Sequence, residues 1–189
     1  MFRALTIREA ESAYEIYLSA FNWLNEHHIR QWLVPTAKDT YLSYAADDQL
    51  FGFFNSDELV AAGRLCNEYE PHWKDAIGEQ RCWWLSSLTV CRANSYPAKG
   101  HSFLRAAFSF LEERACNALH LDCVNNNEFL PRYYESCGFE RMCEKSITYK
   151  SGNTFPMVLM KASVPNHAFG GTLACNADGC LQPKQTLKV

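Results

Sequence analysis

At 189 residues, 48% hydrophobic and 14% aromatic, the chain is long enough for one domain with a real core and too apolar for wholesale disorder. A formal charge of −3 gives no overall basic field for a nucleic-acid backbone, and no apolar run approaches the roughly 18 residues that a membrane span needs. The stretch MFRALTIREAESAYEIY carries charges at Arg3, Arg8, Glu9 and Glu11 and so lacks the apolar centre of a secretory signal; the expected location is the cytosol.

FRALTIRE alternates as a first strand does, and AESAYEIYLSAFNWL sets Ala13, Ile16, Tyr17, Ala20, Phe21 and Leu24 at helical spacing. EHHIRQWL predicts a second short helix ended near Pro35, and Asp39 is placed to cap another over TYLSYAA. QLFGFFN, the turn SDE and LVAAGRLCN predict a hairpin, followed by NEYEPHWKDAIGEQ as a polar connection. RCWWLSSLTVC reads as a central strand buried on both faces. GHSFLRAAFSFLEERA repeats Phe103, Ala107, Phe110 and Leu111 on one helix face. The strand ALHLDCV, a further helix, and a closing hairpin of GFERMCEKSITYK with TFPMVLMKA complete the order.

A strand, crossover helix and strand in succession imply one parallel pair inside a sheet otherwise built of hairpins, so the class is mixed α/β. The domain is expected over residues 1–162. Residues 163–189 shift to Gly, Pro, Asn and Thr without periodicity and read as an extended or partly disordered tail.

Of the nine cysteines, Cys66, Cys82, Cys91, Cys123 and Cys143 lie in strand-like runs and Cys116 and Cys137 at helix ends, as small buried hydrophobes of a reducing compartment would. Cys175 and Cys180, in CNADGC, make one pair where a zinc site needs two more ligands, and no metal is expected; a cysteine metal protein is the third and weakest reading.

Two segments carry chemistry. In LDCVNNNEFLPRYYESCGFE, Pro131 fits a helix only within its first turn, so the helix begins between Asn127 and Pro131 with Asn127 as the capping acceptor. Gly138 falls one residue past the helix end, and Phe139 packs back. Tyr133 and Tyr134 are about 100° apart around that helix. One is expected in the core and one at a cleft, unless both simply pack and hydrogen-bond. In LSSLTVCRANSYPAKGHSFLRAAF a strand runs through Pro97, Ala98, Lys99 and Gly100 into a helix. Amides at a helix start hold phosphate, Gly100 permits close approach and Lys99 adds a cation; an ordinary strand-to-helix turn is the plainer reading.

In order and spacing the two segments resemble the GNAT family of acyl-CoA-dependent N-acetyltransferases, over roughly residues 2–162. The family's pyrophosphate loop, R/Q-x-x-G-x-G/A, corresponds to Pro97, Ala98, Lys99, Gly100, His101 and Ser102. Its next strand and helix correspond to Leu121-Asp122-Cys123, Asn127, Tyr133-Tyr134-Glu135 and Gly138-Phe139, and LTIREA is typical of its first strand. The resemblance implies a mostly antiparallel sheet with one parallel, splayed strand pair, flanked by helices.

It also implies acetyl-CoA as co-substrate, without metal, lying where LSSLTV and ALHLDCV part. The pantetheine arm pairs with backbone at Leu88 and Val90, whose N–H groups also stabilise the oxyanion. Pyrophosphate rests on the amides of Ala98, Lys99, Gly100, His101 and Ser102, and Asn127 bonds the pantetheine. Tyr134 protonates the departing thiolate, a transfer between groups whose ordinary pKa values differ by only about 1.5 units. The implied partners are acetyl-CoA and a primary amine of a small molecule or peptide, with neither nucleic acid nor membrane; a homodimer is left open.

Glu68, Glu70, His72 and Glu79 are the candidates for the base that the amine needs, unless a water chain serves. One of Trp83 and Trp84 is expected in the core and the other to wall the acceptor pocket; His27 and His28 read as helix surface, although the resemblance implies that residues 22–34 shape acceptor choice. Pro97, which lacks an amide, and Ser102, in place of a smaller residue, motivate a second reading: a non-catalytic acyl-CoA-binding or regulatory module of the same fold.

Overall fold

The computed structural model describes residues 1–32, 34–78, 82–93, 96–126, 128–149 and 152–164. In chain order the elements are β1 (Phe2–Ala4), α1 (Ile7–Glu26), α2 (Lys38–Ala46), β2 (Leu50–Asn55), β3 (Glu58–Cys66), a 3-10 turn (Pro71–Trp73), α3 (Lys74–Ile77), β4 (Trp83–Val90), α4 (Lys99–Glu112), β5 (Ala118–Val124), α5 (Phe129–Ser136), β6 (Glu140–Thr148) and β7 (Thr154–Ser163). The strands form one seven-stranded sheet in the order β1-β2-β3-β4-β5-β7-β6. Every neighbouring pair is antiparallel except β4–β5, so the mixed α/β expectation and its single parallel pair hold.

The sheet is covered on both faces because alternate residues of its strands are apolar on both. On one face Phe103, Leu104, Ala107 and Leu111 of α4 pack on Ala61, Leu85, Leu119, Leu121 and Phe139. On the other, Ala10, Ala13 and Tyr17 of α1 and Tyr41 of α2 pack on Leu5, Leu50 and Ala62. Trp73, Ile77, Trp84, Val124 and Leu159 continue that second layer. Among the described residues no helix is long and apolar enough to cross a membrane.

Several sequence expectations are corrected. The first strand stops at Ala4 because Thr6 caps α1: the Thr6 hydroxyl accepts from the Glu9 N–H, and the Glu9 carboxylate accepts from the Thr6 N–H at 3.0 Å. The second helix predicted over EHHIRQWL is absent. Helix α1 ends at His27 with His28 left-handed (φ 57°), and the His28 and Ile29 N–H groups return to the carbonyls of Asn25 and Leu24, a Schellman ending without glycine. Asp39 lies inside the first turn of α2, behind Ala37, and is not its cap. The polar connection sends Trp73 and Ile77 into the core. Strand β7 runs to Ser163, and Val164 is buried with its N–H on the Asn117 carbonyl. Cys175, Cys180 and the rest of the expected tail lie outside the described residues.

Candidate active site

The parallel partnership of β4 and β5 is brief. Only Trp83↔Leu119 and Trp84↔His120 are in register, although β4 continues to Val90 and β5 to Val124. The cause lies on the other side of β4. Arg64 of β3 pairs with Ser86 and Ala62 with Thr89, so β4 carries one residue more than β3 across this stretch. Ser87, in the bulge, is left-handed (φ 54°). A bulge bends its strand and sharpens its twist, and here it carries β4 away from β5 and opens a wedge.

At the mouth of the wedge α4 begins after Ala98, which is also left-handed (φ 49°) and offers no side-chain cap, so the first turn's amides lack a capping oxygen. Two non-glycine residues in this costly conformation bracket the end of β4. Ser102 differs from its expected role: its N–H already donates to the Ala98 carbonyl at 2.9 Å, leaving its hydroxyl. The Lys99 ammonium donates to the Cys91 carbonyl, tying the two ends of the loop together. Gly100 is buried, and its Cα faces the Tyr133 hydroxyl, which a Cβ there would strike. The His101 ring meets Tyr133 edge-on at 5.0 Å, and burial together with Arg105 lowers the imidazole pKa.

Helix α5 holds Pro131 in its first turn, as expected, although no side chain caps it at Glu128. Its end is the expected one: Gly138 is left-handed (φ 88°), its N–H bonds the Glu135 carbonyl, and the Phe139 N–H bonds the Tyr134 carbonyl. Both tyrosines are half-buried on the α4 face, in contrast to the expected division between core and cleft. Their rings meet at 5.2 Å, and Tyr134 also packs edge-on against Phe139 at 5.7 Å. Burial raises both phenols well above the ordinary range. Burial likewise pushes the Cys123 thiol up to about 12, so it is no competing nucleophile. Asn127 lies outside the described residues.

No family model and no curated protein matches the chain. Solved structures do. An acetyltransferase of the GNAT family from Listeria monocytogenes is similar over 87% of this chain and 94% of its own, with a TM-score of 0.68 at 18% identity. A ribosomal-protein-alanine N-acetyltransferase from Brucella melitensis gives 0.65 at 15% identity, over 87% and 99% of the two chains. The protein yncA from Salmonella typhimurium, described with its cofactor acetyl-CoA, gives 0.64 at 14%, over 91% and 98%. This is the GNAT acetyltransferase fold.

On the face of this GNAT sheet opposite α4 and α5, β5 presents His120 and Asp122, the alternates of Leu121 and Cys123. Asp122 Oδ2 accepts from Trp73 Nε1 at 2.8 Å and lies 3.3 Å from His72 Nε2. Of the other base candidates, Glu68 is exposed and Glu70 partly so, while Glu79 lies outside the described residues. Desolvation of its partly covered ring, and then Asp122 and Glu70, raises the Tyr149 phenol to about 12. Neither Trp83 nor Trp84 walls this corner as expected: Trp83 packs edge-on against Phe110 on the α4 face, and Trp84 is core.

The last turn of α1 reaches the C-terminal end of β4, and the segment after it that of β5. Arg92 lies 3.6 Å over the Trp23 ring, and Asn126 donates to the Arg30 carbonyl at 3.3 Å. Sequence reasoning missed Asp122, Trp73 and Ser87. The one available signal was a Trp inside an otherwise polar stretch, which has no reason to be there unless it is buried. Among the described residues no cluster of His, Cys, Asp and Glu could hold a metal ion.

Proposed function

We propose that the protein moves an acetyl group from acetyl-CoA to a primary amine of a small molecule or peptide, in the cytosol, by direct attack of the amine on the thioester. The observation that carries this reading is the wedge: two parallel strands that pair twice and then part leave the edge of β4 that faces β5 with no strand beside it. A pantetheine chain, slender and amide-bearing, suits such an edge at Leu88 and Val90. The uncapped start of α4 suits a pyrophosphate, with the amides of Ala98, Lys99, Gly100 and His101 and the Ser102 hydroxyl as its ligands. Asn127 is assigned to the pantetheine arm. The acetyl-CoA described for the Salmonella neighbour supports this cofactor.

Backbone N–H groups on the parted stretch of β4 stabilise negative charge on the carbonyl oxygen. Tyr134, kept protonated by burial, gives its proton to the leaving thiolate. Titration with acetyl-CoA, followed by thiol release across an amine panel, tests the reading: saturable binding and turnover on at least one amine are expected.

The second reading, a non-catalytic acyl-CoA-binding module, draws on the spent Ser102 amide and on the Tyr133 hydroxyl lying against Gly100. It expects saturable binding with no turnover on any amine.

A further inference from the structure

We propose that His72 is the catalytic base that takes the proton of the acceptor amine and that Asp122 positions it; the proposal rests on the acyl-transfer reading above. The sheet itself separates the two proton-transfer groups. Tyr134 belongs to the α4 face with Cys123, whereas Asp122 and His72 lie on the opposite face. A thioester held in the wedge then has a proton donor on one side and a proton acceptor on the other, which is what attack by an amine and departure of a thiolate require.

Asp122 stands two residues beyond His120, the last residue of β5 in register with β4, and so lies on the parted stretch. Its carboxylate is anchored by the fully buried Trp73, through the indole N–H at 2.8 Å. His72 Nε2, at 3.3 Å, is the nitrogen that meets Asp122. Donation from Nε2–H to the carboxylate fixes the tautomer and makes Nδ1 the basic nitrogen. The His72 backbone is pinned as well, because the Lys145 ammonium of β6 bonds its carbonyl and lies 4.5 Å over the Trp73 ring. The ionisable groups around the imidazole are therefore Asp122 from β5, Lys145 from β6, Tyr149 with its ring at 6.3 Å, and the neighbouring Glu70.

The same face shows a second sign of a polar guest. Trp84 and His120, paired across the root of the wedge, keep Nε1 and Nδ1 buried with no partner. Two unsatisfied polar atoms on paired residues of an apolar layer mark a place for water or for a polar group of an acceptor.

The step balances as follows. The substrate ammonium gives one proton to His72 Nδ1, which passes it to solvent. The freed lone pair forms the C–N bond, and the C–S bond breaks with its electron pair on sulfur. Sulfur takes the Tyr134 proton, and the second proton lost from nitrogen restores the phenol. The sum is ammonium plus acetyl-CoA giving amide, CoA thiol and one proton.

The test uses the full chain, with benzylamine, which is protonated at neutral pH, and phenylhydrazine, which is not. His72→Ala is expected to lose on the order of 100-fold or more in kcat/KM with benzylamine and only a few-fold with phenylhydrazine, while acetyl-CoA binding is unchanged. Added imidazole restores the benzylamine rate. Asp122→Asn, which still accepts from Trp73, gives a partial loss confined to benzylamine, and Asp122→Glu recovers part of it. Equal losses with both amines, no imidazole rescue, or no loss at all overturns the role of His72 while leaving acyl transfer standing. A wild-type chain that binds acetyl-CoA but releases thiol with neither these two nor any other amine of the panel also overturns it, in favour of the binding module; failure to bind acetyl-CoA removes the acyl-transfer reading itself.

Discussion

The Tyr133 hydroxyl occupies the position beside Gly100 where a side chain would otherwise stand. Gly100 is thus required by a phenol of this chain, whatever ligand the loop also admits. Inside a helix an alanine normally gains up to about 1 kcal/mol over glycine. Here Gly100→Ala is expected to destabilise, because the half-buried Tyr133 must move. In a Tyr133→Phe background, with the hydroxyl gone, the same change becomes neutral or stabilising. Denaturant melts of the four proteins of this cycle measure the coupling, and additive effects would show that the contact is not what excludes a side chain.

Tyr134→Phe removes a proton and little packing. Turnover is expected to fall by roughly 10²- to 10⁴-fold, with the acetyl-CoA dissociation constant nearly unchanged. Steady-state kinetics beside a binding titration checks it; undiminished turnover would relieve the phenol of its role.

His120 is 1% exposed, and burial, with Lys161 opposite on β7, lowers its imidazole to about 4. In the unfolded chain the group titrates near 6.5, so the unfolded state binds the proton first as the medium acidifies. Its contribution is fully present above pH 6.5 and is lost as pH falls towards 4, on the order of 3 kcal/mol in all. His120→Leu should flatten this part of the stability curve, read from urea melts at several pH values. Trp84, Asp122 and Lys161 lie around the ring and are to be kept intact.

Glu9 gives a second, more acidic window. Arg3 at 2.5 Å, and then the Thr6 N–H, hold its carboxyl near 2 rather than 4.5, so its stabilisation is present above about 4.5 and disappears as pH falls towards 2. Glu9→Gln is expected to cost about 1 kcal/mol at neutral pH, the scale of a cap and a half-exposed ion pair. The difference from wild type should vanish near pH 2; a pH-independent difference would assign the effect to packing alone.

The elements that the sequence made legible are those fixed by local rules. Pro131 in a first turn, Gly138 past a last one and the spacing of α4 follow from backbone sterics and periodicity, and each stands where it was read. What the chain hid was decided by partners distant in sequence. His28 ends α1 without the glycine that would announce it. Trp73 is buried by a carboxylate 49 positions away. A phenol 33 positions ahead meets Gly100, where the sequence suggested a phosphate or an ordinary strand-to-helix turn. The parting of β4 from β5 was expected from resemblance alone; its cause, a bulge against β3, has no signature in LSSLTV.

That extra residue also changes the phase of β4. Ahead of it the odd-numbered Trp83 and Leu85 face α4; beyond it the even-numbered Leu88 and Val90 do, and Thr89 turns to the other side to bond the Ala62 carbonyl. The half of the strand nearest the opening is therefore set by a count of residues more than by their chemistry. Removing Ser87 would restore strict alternation along β4 and keep the present pairing with β3, so that Leu88 and Val90 stay in their apolar layer and Thr89 on the other side, now without the bend. A one-residue deletion here would do what few substitutions could: straighten the strand, let its neighbour zip alongside, and seal the gap.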